Sequence, residues 1–190
     1  MQKNNLKNVY FYGEDKRIAP DSLEHGYLLI LNDDVEGAKR IFENLDSPRA
    51  HWAVCLTSIL KGVLESAPTY FQIRNFLEID LDFLIKNEKI DYVEMLLGAL
   101  DILSVINHET FKYTARVMLA NNLMSAGFNY MEKSKKVFYN DPELHFMYAK
   151  YYFGLHNYKR ANFYIDECLS VLPDYYPALQ LKEEIEENLF

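Results

Sequence analysis

The residue types that could do chemistry are few in this sequence, and their spacing is unspecific. His51 and Cys55 stand four positions apart, so one helical face would present both as half of a metal site, but no second pair completes it. Asp141 and His145 share that spacing and are explained more simply as a helix cap and a surface pair. No phosphate-binding glycine loop, nucleophile elbow or zinc-protease pair occurs. We therefore predict a protein that is not an enzyme, without catalytic, cofactor-binding or metal-binding residues.

The composition is that of a globular chain with an acidic balance. Hydrophobic residues make up 49% of the 190 residues, and 28 Asp and Glu against 20 Lys and Arg give a net charge of -8. This length suits a single domain, residues 1–190. The acidity argues against nucleic acid or an anionic membrane surface as a partner. We expect the partner to be another protein.

Nothing in the sequence predicts a targeting or membrane segment. The longest apolar stretch, residues 92–106, is interrupted by Glu94 and Asp101 and is shorter than the ~20 residues of a membrane span. The two cysteines are too few for a disulfide framework. We therefore expect a cytoplasmic location.

Apolar residues recur at spacings of three and four through most of the chain, which predicts an all-α fold of about ten helices. One predicted helix runs from about residue 89 to 105 and another from 107 to about 125. A turn at residues 126–129 would then precede a short helix at 130–139. Residues 1–18 are predicted to form an N-terminal arm, of which only residues 9–12 look like a strand.

The sequence repeats itself every 34 residues. Stepping by 34 from Leu77 leads to Phe111, His145 and Leu179. Paired helices that bury their apolar stripes by stacking need small residues where they touch. The last unit shows a ladder of small, aromatic, small, large, small and proline residues: Ala149, Tyr152, Ala161, Ile165, Cys168 and Pro173.

On these residues the chain resembles the tetratricopeptide repeat (TPR) family, with units at residues 19–52, 74–107, 108–141 and 142–175. The first unit carries the same spacings at Gly26, Leu29, Ala38, Phe42 and Leu45. An extra helix at about 48–64 lengthens the spacing between the first and second units, and residues 176–190 would form a capping helix. The resemblance implies an α-α superhelix, a TPR-like solenoid; a compact helical bundle with accidental periodicity is the alternative.

The resemblance also implies which residues line a concave peptide-binding groove. These are Tyr27, Lys112, Arg116, Phe146, Lys150 and Phe153. Their charges suit a peptide or helix segment of a partner that carries acidic side chains. In the alternative interpretation, Lys112 and Arg116 pair with Glu78 and Asp82 of the preceding unit, which leaves Lys150 without a charge partner.

These observations predict a non-enzymatic protein–protein interaction module: an adaptor, a scaffold or a partner-specific chaperone. The alternative is a structural repeat protein that associates with itself. It would then form a homodimer through its outer face or its N-terminal end. An enzyme with a site grafted on the repeats is the weakest alternative.

Overall fold

A computed structural model describes residues 19–188 of the chain. These residues are all-α, which confirms the predicted fold class, and no strand occurs among them. They form eleven helices. In chain order the helices are α1 (Leu23–Leu31), α2 (Val35–Glu43), α3 (Pro48–Leu60), α4 (Tyr70–Lys86), α5 (Ile90–Gly98), α6 (Leu100–Ile106), α7 (Thr110–Ala120), α8 (Met124–Lys135), α9 (Pro142–Gly154), α10 (Tyr158–Val171) and α11 (Tyr176–Glu187).

Side-chain caps start several of these helices. Ser47 accepts the Ala50 N–H at 3.1 Å at the start of α3, and Asp141 accepts the Leu144 N–H at 2.9 Å at the start of α9. Both helices have proline as their first residue, where a missing N–H costs nothing. Thr69 opens α4 with a complete capping box, in which Gln72 accepts the Thr69 N–H at 2.8 Å.

Two predicted helix boundaries are wrong. The helix predicted from 89 to 105 is interrupted at Ala99, which raises the count from about ten to eleven. The turn predicted at 126–129 is absent, because α8 continues through it and the Gly127 N–H donates to the Leu123 carbonyl at 2.9 Å. Gly127 is a packing residue, since a Cβ there would lie 2.6 Å from Leu119 Cδ2. The predicted arm, residues 1–18, lies outside the described residues.

The same turn joins the two helices of four helix pairs. One residue takes a positive φ of 55–66°, and its N–H donates to the carbonyl three positions earlier. The next residue, with ψ of 62–68°, donates to the carbonyl five positions earlier and starts the following helix. The positive-φ residues are Asp33, Glu88, Asn122 and His156. The last three are 34 residues apart, so the sequence repeat corresponds to a structural one.

The chain divides into two compact units, 1–110 and 111–190. In the N-terminal unit α1 packs on α2, and α3 packs on α2, α4 and α5. Gly26 of α1 lies against Phe42 of α2, and a Cβ at Gly26 would overlap that ring. The pair therefore needs glycine at this position for its helices to approach each other.

In the C-terminal unit α9 packs on α8, α10 and α11. The small residues of the predicted ladder are fully buried there, including Ala149, Ala161 and Cys168. Tyr148 and Tyr164 stack beside them, with ring centroids 4.7 Å apart. Burial raises the pKa of the Cys168 thiol to about 11, so this cysteine is an unreactive core residue at neutral pH.

His145 of α9 is a polar side chain in this core, only 6% exposed. Neither ring nitrogen has a hydrogen-bond partner among the described residues, and the ring lies on Tyr164 with centroids 6.3 Å apart. Desolvation lowers the pKa of His145 below its ordinary value. The folded state therefore holds this imidazole neutral at a pH where the unfolded chain would begin to protonate it.

Replacing His145 with leucine is expected to raise the free energy of unfolding by about 1–2 kcal/mol at neutral pH, because two unpaired polar atoms leave the core. In the unmodified protein, stability should fall as the pH drops through about 6.5, where the unfolded state takes up a proton before the folded state does. H145L should lose that component. Urea unfolding at pH 8 and pH 5.5 tests both effects, with the exposed His51→Leu as the control. An equal acid response in the two variants would contradict the assignment.

Candidate functional site

Two neighbouring hollows open on the C-terminal unit, and Lys150 lines both of them. The first has a volume of about 270 Å³, and its walls come from α7, α8 and α9. The second, of about 360 Å³, lies between α9 and α11. We refer to these hollows together as the Lys150 site. The first is lined mainly by Arg116, Leu119, Met124, Met147 and Lys150, and the second by Phe146, Lys150, Phe153, Gly154, Leu181 and Glu184.

The pattern of α9 explains why these side chains share one surface. Phe146, Lys150 and Phe153 stand at i, i+4 and i+7, on one face of the helix. The adjoining face carries the buried Ala149 and Tyr152 and packs on α10. These three residues of the predicted groove therefore lie together on one surface of α9.

Lys150 is exposed and makes no ion pair with another residue of the range 19–188. Its ammonium lies 5.9 Å from the centroid of the Phe146 ring, close enough for a weak cation–π attraction. Glu184 lines the second hollow but is not within ion-pair distance of this ammonium. The cation is therefore available to a ligand that brings its own negative charge.

Arg116 contributes a second positive charge to the first hollow. Its guanidinium pairs with Glu143 at 2.9 Å, and 42% of its side chain stays exposed. The guanidinium carbon also lies 5.7 Å from the centroid of the Tyr113 ring. Because Glu143 neutralises part of its charge, Arg116 can assist an anionic ligand but is a weaker anchor than Lys150.

Lys112, also predicted to line the groove, is buried, with only 4% of its side chain exposed. Its ammonium pairs with Asp141 at 2.7 Å and with Glu143 at 3.2 Å. These two carboxylates stand at the start of α9, so Lys112 joins α7 to that helix end. Its charge is not available to a ligand.

Tyr27 lies in the N-terminal unit and is 3% exposed. Its hydroxyl donates to Asp80 Oδ2 at 3.1 Å, and its ring meets Phe83 edge-on at 5.4 Å. Tyr27 is thus a core residue, and we leave it out of the candidate site. Asp82, on α4 of the same unit, forms an ion pair with Lys86 at 2.6 Å.

Sequence reasoning missed the apolar residues that shape the hollows. Met147 lines the first hollow one position after Phe146, and Leu181 of α11 lines the second. The signal for Met147 is its place three residues before Lys150, on the same side of α9. Leu181 was assigned to the capping helix. That helix lies outside the predicted repeat units, so the repeat does not predict which of its residues line a site.

The arrangement offers apolar walls and a cation, which suits binding more than bond-making chemistry. Among residues 19–188, no group of three or more His, Cys, Asp or Glu side chains is placed to hold a metal ion. No helix in this range is both long enough and apolar enough to cross a membrane. Comparison of the chain with protein-family models, with curated proteins and with solved structures finds no match.

Proposed function

We propose that this protein is a non-enzymatic interaction module whose Lys150 site binds an acidic, partly apolar peptide segment of another protein. Adaptor, scaffold and partner-specific chaperone are the roles that such a module serves. The proposal includes a TPR-like nature for its helix pairs. Its support is the recurring turn, together with the close approach of Gly26 and Phe42 in the first pair.

The observation that carries the proposal is an exposed lysine without an ion pair between two apolar hollows. Exposed lysines without an ion pair also occur elsewhere, as at Lys159, but Lys159 lines neither hollow. A cation that is bordered by aromatic and methionine side chains supplies the two contacts that peptide recognition needs. One is a charge for orientation, and the other is an apolar pocket for affinity.

The charges around the site suggest how the peptide is oriented. Glu184 lines the second hollow and would repel a carboxylate there. Arg116 and Lys150 both line the first hollow, which favours an acidic side chain. We therefore place the acidic residue of the peptide at the first hollow and an apolar residue between Phe146 and Phe153.

An array of short synthetic peptides tests this proposal. Each peptide carries one acidic and one apolar residue, and the number of residues between the two varies across the array. The protein is expected to select peptides that carry both residue types at one preferred spacing. Lys150→Glu should weaken that binding by about tenfold or more, since it replaces an attraction with a repulsion. Lys159→Glu, the same charge change at an exposed lysine of α10 outside both hollows, should have little effect.

Methionine methyl NMR locates the binding on the molecule. Met124 and Met147 line the first hollow, whereas Met118 and Met131 are buried elsewhere in the core. The selected peptide should shift the Met124 and Met147 signals and leave Met95, in the N-terminal unit, unchanged. Selection of peptides without any carboxylate, or identical selection by Lys150→Glu, would contradict the proposal.

A further inference from the structure

Helix α3 ends in the turn of the four helix pairs but lacks the second helix that follows it elsewhere. Gly62 has a φ of 79°, its N–H donates to the Ile59 carbonyl at 2.8 Å, and the Val63 N–H donates to the Ser58 carbonyl at 3.1 Å. In the other four turns the next helix begins two residues after the positive-φ residue. Here the next helix begins only at Tyr70.

The segment after Gly62 is held on α2. Lys61 pairs with Glu36 and Lys39 pairs with Glu65, so both ends of residues 61–65 are tied to that helix. This course leaves the side of α3 that faces α5 and α6 without a covering helix. A hollow of about 280 Å³ opens there.

The walls of this hollow are apolar, with the buried Ile59 at its base and exposed side chains around it. They include Ile59, Val63, Met95 and Ile102, of which Met95 is 47% and Ile102 54% exposed. Val105, one turn further along α6, is 75% exposed and continues the same stripe. Gly98 stands in the middle, and a Cβ placed on it would meet nothing within 4 Å. A helix could therefore approach the backbone closely at this point.

The charged residue among those that line the hollow is acidic, and the nearby Lys61 is already paired with Glu36. Glu94 lines it, Asp101 adjoins Ile102, and neither α5 nor α6 contains a lysine or an arginine. Glu94 makes no ion pair with another residue in the described range. A helix that presented acidic side chains along this stripe would be repelled, whereas lysine or arginine on its flanks would be attracted.

We propose that this hollow, which we name the Gly98 groove, binds an amphipathic helix of a partner protein that carries an apolar stripe flanked by basic residues. The bound helix takes the place of the second helix that α3 lacks. A partner helix of about 14 residues is about 21 Å long, which exceeds the length of α5, a helix of nine residues. This binding mode is independent of the Lys150 site and uses different residues, a different charge sign and a helical ligand.

Two synthetic helices test the proposal: a Leu/Lys amphipathic helix of about 14 residues and a Leu/Glu helix with the same apolar stripe. The Leu/Lys helix is expected to shift the Met95 methyl signal and the Leu/Glu helix to leave it unchanged. Gly98→Trp, which fills the groove, should weaken the Leu/Lys binding by about tenfold or more. Its thermal midpoint should not fall, because glycine is a poor helix former and its Cβ position is open.

Gly154→Trp is the matched control, since Gly154 is also a helical glycine with open space around its Cβ but lines the Lys150 site. It should preserve binding at Met95. Ile102→Ser is a second variant on the groove and should also weaken the binding. Equal shifts with both helices, or unchanged binding in Gly98→Trp, would overturn the proposal. A Met95 signal that depends on protein concentration without peptide, and loses that dependence in Gly98→Trp, would also overturn it by assigning the groove to a second copy.

The same spectra separate this proposal from the proposed function. Peptide binding at the Lys150 site is reported by Met124 and Met147, and helix binding at the Gly98 groove by Met95. Loss of one response with the other intact identifies which proposal has failed.

Discussion

Replacing Asp80 with alanine is expected to lower the free energy of unfolding by about 3–5 kcal/mol, because it removes the carboxylate that pairs with the mostly buried Arg49 guanidinium. Asp80 is fully buried on α4. Its carboxylate accepts hydrogen bonds from the Tyr27 hydroxyl, the Arg49 guanidinium and the Trp52 indole. One side chain thus connects α1, α3 and α4, and three donors lose their hydrogen bond to it when it is removed.

Urea unfolding followed by the fluorescence of Trp52 measures this loss at the site itself, since Trp52 is the only tryptophan of the chain. Asp46→Ala, at a fully exposed aspartate just before α3, should change the stability by no more than about 0.5 kcal/mol. A joint replacement of Asp80 by leucine and Arg49 by methionine should recover much of the loss, because it removes both charges together. If Asp80→Ala and Asp46→Ala had equal midpoints, Asp80 would not be the centre of this network.

The Asp80 network shows why part of this fold could not be predicted from the sequence. Tyr27, Arg49 and Trp52 precede Asp80 by 53, 31 and 28 residues, and no local pattern links them. The 34-residue spacing recurs in the turns at Glu88, Asn122 and His156, but a sequence repeat does not predict which polar side chains meet in the core. Gly127 is a similar case. The local preference of glycine predicted a turn there, but Gly127 lies within a helix because Leu119 packs too closely to leave room for a side chain.

The candidate site was predictable to the same degree. Phase along α9 brings Phe146, Lys150 and Phe153 to one face, because helix geometry alone fixes their relation. The position of a residue within the repeat did not predict its exposure. The resemblance assigned Tyr27 and Lys112 to the groove, and both side chains are buried. Whether such a position is open depends on the partners around it, here Asp80 for Tyr27 and Asp141 for Lys112. Those partners come from other helices.

Charge reversal at Lys112 and at Lys150 is expected to give opposite results, although the repeat places both lysines at groove positions. Lys112→Glu should lower the free energy of unfolding by about 3–5 kcal/mol, since it buries a carboxylate beside Asp141 and Glu143. Lys150→Glu should change it by no more than about 0.5 kcal/mol, because this side chain is exposed and has no ion pair to lose. Thermal and urea unfolding of the two variants measure the difference.

The contrast determines which lysine can serve as a probe of peptide binding. A loss of binding in Lys112→Glu would follow from damage to the start of α9, where Asp141 also caps the helix through the Leu144 N–H. Lys112→Met separates charge from packing. It keeps the apolar stem and removes the cation beside Asp141, whereas Glu143 keeps its ion pair with Arg116, so it should destabilise less than the reversal. If Lys112→Glu were as stable as Lys150→Glu, the ion pairs of Lys112 would not hold α7 to α9. Lys112 would then regain its place as a ligand-binding residue.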